Sequence, residues 1–297
     1  MTTDIKINPA TGEVQEMVWL RVPIGTTFRT PDQQAAAKEW RQRQKEREEK
    51  EKYRQLVKND LGNFYFILCE NVFEGISPQT ATKLIMLCSY LNYNDQFMLT
   101  RQTPMQKSDV RRVLRLSRTS MYEFWNEIEE TYITERNGGL FISNKVNVFR
   151  HAIPQGNHAG FRQYQKIYID AVRMLYNETS ARKHKQLGYI FKLLPYINLE
   201  YNIFCGDPFE KDLRNIQPLT VSEICALLDY DPKNAARLLK ELQSITFVRH
   251  NKPEYLISYV DNGSGLATSR KVFVNPHILY NGSDYRRVEI LGSFCRT

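Results

Sequence analysis

The sequence predicts a mostly α fold of the α+β kind: two copies of one small module joined by a helical linker, with a charged helix ahead of them. Three observations carry that expectation. Apolar residues recur at helical spacing along most of the chain. One order of helices and hairpin occurs twice, and no apolar run approaches the eighteen residues of a membrane span. The 297 residues fit two folded units, and 42% hydrophobic with 25% charged residues is a globular composition. The expected division is an N-terminal arm and charged helix (1–60), a first module (61–150), a helical linker (151–182) and a second module (183–297).

The elements follow in order. Ile5, Ile7, Val14, Met17 and Val18 flank Pro9-Ala10-Thr11-Gly12, a turn signal for a small hairpin. Pro31 opens a helix in which nine cations and six anions run to Lys58 with few large apolar residues. That pattern fits a solvated connector, with a DNA-contacting arm or a coiled coil as alternatives. Phe64 to Cys69 is a short apolar run, a buried strand or a core helix. Ser77-Pro78 starts a helix with Leu84, Ile85, Leu87, Cys88 and Leu91 on one face.

Gln96–Thr100 reads as a strand and Thr103-Pro104 as the start of a helix burying Met105, Val110, Val113 and Leu114. Ser117 caps the next helix, where Met121, Phe124, Trp125 and Ile128 form one face. Asn137-Gly138-Gly139 joins two strands in a tight hairpin. The same order returns later. A helix with Leu187, Ile190, Phe191 and Leu194 inward precedes a Thr220-capped helix, then an Asp231-capped helix burying Ala235, Leu238, Leu239 and Leu242. Thr246–Arg249 and Glu254–Val260 are expected to form its hairpin, with Lys271–Asn275 as a third strand. Ser117 aligns with Asp231, Phe124-Trp125 with Leu238-Leu239, and Phe141-Ile142-Ser143-Asn144 resembles Phe273-Val274-Asn275. Between the copies, Tyr164, Ile167, Tyr168, Ala171, Val172 and Leu175 are spaced for a linker helix.

Several chemistries lack their residues. The five cysteines are scattered without a CxxC pair, so they read as reduced core residues, and no metal site is expected. The histidines form neither HxH nor HExxH, and no phosphate loop, GxSxG elbow or GxGxxG is present. No catalytic residues and no cofactor are expected, so the chain reads as a non-enzyme. The N-terminus lacks the apolar core of a signal peptide, which gives a cytoplasmic expectation with no membrane partner.

The exposed positions are basic. The chain carries a net +8, and six cations but only one anion, Asp109, lie between Arg101 and Ser120. On the first module the candidate DNA contacts are Lys107, Arg111, Arg112 and Arg115 before the capped helix, then Arg118, Thr119, Ser120, Tyr122 and Asn126 on it. Arg136 and Asn137 at the hairpin tip and Lys145 beyond it complete that set. On the second they are Lys233, Asn234, Arg237 and Lys240 on the helix, with Arg249 and Lys252 at the hairpin. Arginine can read guanine in the major groove and asparagine can read adenine, while lysine and the remaining arginines suit phosphates.

Helix, strand, helix, turn, helix, hairpin is the layout of a winged helix-turn-helix. The residues from about 77 to 150 resemble winged helix-turn-helix proteins of the MarR and RepL-type groups, a resemblance that rests on TRQTPMQKSDVRRVLRLSRTSMYEFWNEIEETYITERNGGLFISNKV, Thr100 to Val146. The tandem arrangement is similar to plasmid replication initiators, in which each module grips part of an origin repeat. That resemblance implies sequence-specific binding of double-stranded DNA as a plasmid or phage replication initiator. A phage or plasmid transcriptional regulator is the alternative. A homodimer and a replication or regulatory protein partner both stay open.

Overall fold

The computed structural model describes residues 2–7, 14–19, 31–69, 73–143, 148–150, 163–261, 270–288 and 291–295. It divides into two compact units, Met1–Gln55 and Leu56–Thr297. In the first, β1 (Thr2–Ile7) and β2 (Val14–Trp19) pair as an antiparallel hairpin. Helix α1 (Pro31–Asp60) follows, with its last turn in the second unit. None of its residues is buried. Its helix-forming composition and side-chain pairs such as Arg43–Glu39 at 2.6 Å support it.

The second unit holds both expected modules in one body. Strand β3 (Phe64–Leu68) leads into α2 (Pro78–Cys88), which Ser77 caps through its hydroxyl, accepting from the Thr80 amide at 3.3 Å. Then come α3 (Lys107–Val113), α4 (Arg118–Ile128) and the hairpin of β4 (Ile133–Arg136) and β5 (Gly139–Ile142). Asn137 (φ 50°) and Gly138 (φ 72°) turn that hairpin in the left-handed geometry it requires. Strands β6 (Val148–Phe149) and β7 (Tyr164–Tyr168) flank β3 in a three-stranded antiparallel sheet. The chain continues through α5 (Ile169–Glu178), α6 (His184–Lys192), α7 (Val221–Leu227) and α8 (Ala235–Gln243). Two separate hairpins close it, β8 (Thr246–Arg249) with β9 (Lys252–Tyr255), and β10 (Ile257–Val260) with β11 (Lys271–Val274).

Two runs of this chain repeat hydrogen bond for hydrogen bond. Phe97 N donates to Leu140 O at 2.9 Å, and Phe204 N to Val272 O at 3.0 Å. Ile142 N donates to Asp95 O and Val274 N to Asn202 O, each at 2.9 Å. Ser143 N reaches Tyr132 O, as Asn275 N reaches Leu256 O. Both turns ahead of the capped helix carry a non-glycine residue at positive φ, Arg115 at 53° and Asp229 at 50°. Ser117 and Asp231 follow at the same place and cap through their side chains. These pairings make Ile133↔Ile142 the counterpart of Ile257↔Val274. The β10–β11 hairpin is therefore the second copy of β4–β5, and β8–β9 is an insertion ahead of it.

The repeats are joined back to back by α2 and α6. Met98 N on Tyr90 O matches Cys205 N on Tyr196 O. Counting back equally from Tyr90 and Tyr196 pairs Pro78 with His184 and Thr82 with Gly188. Across the interface Pro78 meets Gly188, and Thr82 Oγ1 donates to His184 O at 2.8 Å. Residue i touches the mate of j, and j the mate of i, the signature of a local twofold axis. The sheet obeys the same axis: β3 and β7 pair about Phe66↔Lys166, flanked by Phe149 on one side and the Leu279–Tyr280 backbone on the other. Leu84, Ile85, Leu187, Ile190 and Phe191, all at most 1% exposed, fill the core along this interface. Burial of each such side chain contributes about 1.5–3 kcal/mol.

The fold class is α+β and not mostly α: among the described residues helix makes up 46% and strand 21%. Long-range strand pairing accounts for the difference. Tyr164–Tyr168 falls in the expected linker helix but alternates buried and half-buried residues, with Gln165 and Ile167 both at 0% exposure. It pairs with β3, nearly a hundred positions upstream by residue number, a partner that local spacing cannot reveal. Helical spacing holds from Ile169 onward, where Ala171, Val172 and Leu175 are buried. The expected single hairpin of Thr246–Val260 is instead divided between two pairs.

Candidate nucleic-acid interface

Helix α4 buries Phe124, Trp125 and Ile128 and turns its other side outward. Arg118, Thr119, Tyr122 and Asn126 are exposed there, and Ser120 is half-buried beside its Ser117 cap. Arg118 and Arg115 make no ion pair among the described residues, so their guanidinium groups stay available. The remaining cations of α3 are partly committed. Arg112 pairs with Asp109 at 2.9 Å, and Arg111 Nε donates to Leu116 O at 3.2 Å, bracing the turn. Lys107 lies 3.6 Å from Glu129 and 4.3 Å from the Trp125 ring centre. All three nevertheless remain exposed. Arg136 and Asn137 stand at the β4–β5 tip, and Lys145 lies outside the described residues.

Lys233 and Asn234 lie in the 3-10 turn that leads into α8, and Arg237 and Lys240 on α8 itself; all four are exposed. Arg237 is drawn sideways to Glu241 at 2.8 Å, which Gln186 also reaches at 3.1 Å.

The hairpin assignment of the second module needs correction. Arg249 does not stand on a free tip. Its side chain is only 13% exposed and bridges Asp60 at 2.5 Å and Glu254 at 3.3 Å. Tyr285 and His250 also bond Asp60, and Glu254 accepts from Asn275 Nδ2 at 2.9 Å and meets His277 Nδ1 at 2.6 Å. Burial pushes both carboxyls upward. The Tyr285 and Arg249 interactions outweigh it at Asp60, and those of His277, Asn275 and Arg249 at Glu254, so both sit below the ordinary range. Arg249 is therefore a structural clamp, whereas Lys252, at the tip of the same inserted hairpin, stays exposed.

The hairpin equivalent to β4–β5 carries Arg270 directly before β11, stacked 4.5 Å from the Tyr259 ring centre and 3.5 Å from Asp261. The match of Phe273-Val274 to Phe141-Ile142 was the sequence signal for it.

A cleft of about 630 Å³ is lined by α2, the α3–α4 turn, Ser120, Glu123 and Glu127 of α4, the end of α5 and the start of α6. Tyr176 Oη donates to Leu114 O at 2.9 Å and thereby ties α5 to that turn. His184 packs on the Tyr176 ring at 4.4 Å between centres. Burial draws the His184 imidazole below its ordinary value, so at neutral pH it serves as an uncharged packing group. Sequence reading did not single out this cleft, because its walls come from three separate stretches, 77–83, 114–127 and 176–184.

Among the described residues no group of three or more His, Cys, Asp or Glu is placed to hold a metal ion. No described helix is long and apolar enough to cross a membrane. Comparison with protein-family models, with curated proteins and with solved structures found no match.

Proposed function

We propose that this protein binds double-stranded DNA sequence-specifically, with α4 and α8 as paired reading helices, and that it starts replication of a plasmid or phage genome in the cytoplasm. One observation carries the reading: two copies of a helix, turn, helix and hairpin unit, each presenting a polar, cation-bearing helix, are fused about a local twofold axis. Winged helix-turn-helix proteins present such a helix to the major groove, and its N-terminal turn contacts base edges. Arg118 and Asn126 on α4, with Lys233 and Asn234 by α8, have the chemistry for bases and phosphates. Arg115, Arg112 and Lys107 suit the flanking phosphates.

The test is selection of duplexes from a random-sequence pool by the full chain, followed by affinity measurement across salt. Contact with six to ten phosphates gives a slope of log affinity against log salt of about −5 to −9. Failure to enrich any duplex, or a slope shallower than about −2, defeats the proposal. Footprinting on the parent genome then separates the roles: iterated sites support initiation, whereas a single promoter site supports a transcriptional repressor.

A further inference from the structure

We infer that Tyr122 reads a thymine, its ring packing on the 5-methyl group in the major groove. This rests on the duplex-binding reading above and adds a specificity residue to α4. Tyr122 occupies the middle of the outward face, one turn after Arg118 and one before Asn126. Its side chain is among the most exposed large apolar groups of the structure, at 70%, and makes no hydrogen bond or ring contact among the described residues. An aromatic ring left in water at the centre of a polar face marks a contact surface more than a folding element.

The internal repeat supplies an independent observation. Because Ser117 and Asp231 are equivalent caps, Tyr122 has Ala236 as its counterpart, and Ala236 is exposed too. Both helices thus put an apolar group at one position, between polar neighbours. The major-groove edge of duplex DNA offers a single apolar feature, the thymine methyl. A phenol ring extends several ångströms farther than a methyl group, so α4 and α8 cannot approach their base pairs to the same depth. The two sub-sites therefore differ, and dependence on thymine in the first follows Tyr122 alone.

Deoxyuridine in place of thymidine deletes only the methyl group, so it isolates this contact. Each thymine of a duplex selected by the full chain is replaced singly, and affinity is measured for wild type, Tyr122→Phe, Tyr122→Ala and Ala236→Gly. One position should weaken wild type and Tyr122→Phe by about fourfold, the value of one buried methyl-sized group. Tyr122→Ala should bind more weakly overall and show no response there, while Ala236→Gly keeps the response. The inference is overturned if no position responds, if the response survives in Tyr122→Ala, or if Tyr122→Phe behaves like Tyr122→Ala. A chain that selects no duplex defeats duplex binding itself, whereas a surface used for a partner protein leaves selection intact and removes the deoxyuridine response.

Discussion

The two repeats share a backbone path and differ in what they do with their charges. In the first, Arg115 and Arg118 make no ion pair among the described residues and stand beside a short hairpin turned by Asn137-Gly138. In the second, Arg237 is paired to Glu241, and an inserted hairpin brings Arg249 into a clamp with Asp60 and Glu254. Equal topology thus supports unequal surfaces: the first copy ties its α3 cations in exposed local contacts, and the second draws Arg249 into a partly buried clamp. An arginine's role is set by the carboxylates within reach, and these come from distant parts of the chain.

The largest expected effect tests whether the repeats are one body. A Cβ on Gly188 would lie 1.8 Å from the Pro78 carbonyl oxygen, and both partners are helix backbone with little room to move. Gly188→Ala should cost on the order of 4 kcal/mol or abolish folding; a melting temperature near that of wild type would show that the α2–α6 contact is loose. Cutting the chain near residue 155 is a poorer test, because it strips β7 from β3 as well as α6 from α2.

Next in size comes the contrast between arginines. Arg249→Ala strands two partly buried carboxylates and should cost about 3 kcal/mol of stability by chemical denaturation, while leaving the cognate-to-random DNA ratio intact. Arg118→Ala should behave oppositely. Its stability should stay within about 0.5 kcal/mol of wild type, and affinity for a selected duplex should drop by about 1–3 kcal/mol with relaxed preference at one base pair. If the two variants exchange these outcomes, the assignment of free and clamped cations is wrong.

The smallest effect is pH dependence. Asp60 and Glu254 are both held below the ordinary carboxyl value. Their contribution to stability is complete above about pH 4.5 and is lost as pH falls through their folded-state values. The melting temperature of wild type should therefore fall more steeply between pH 5 and pH 3 than that of Asp60→Asn. Parallel curves would mean that the clamp does not couple to protons.

Much of each repeat was legible from local chemistry. Ser117 and Asp231 announced their helices, Asn137-Gly138 its turn, and the Phe141 and Phe273 segments their equivalence. What stayed hidden depended on pairings across the chain. The β7 strand carries apolar residues that also satisfy helical spacing, and only β3 decides between the two. Arg249 looked like a hairpin-tip cation because its partner Asp60 is nearly two hundred positions away. The twofold axis left one local trace, a glycine inside an amphipathic helix, whose meaning depends on Pro78 lying against it.

Fusion of the two heads about an axis changes the kinetic order of whatever they engage. Two separate subunits meet in proportion to the square of their concentration, so their pairing fades quickly on dilution. In this chain the α2–α6 contact is intramolecular and does not dilute. Occupancy of a two-part target by one molecule then rises with the first power of protein amount. A titration should be hyperbolic, with a Hill coefficient of about 1, down to the few copies at which a dissociable pair would already have come apart.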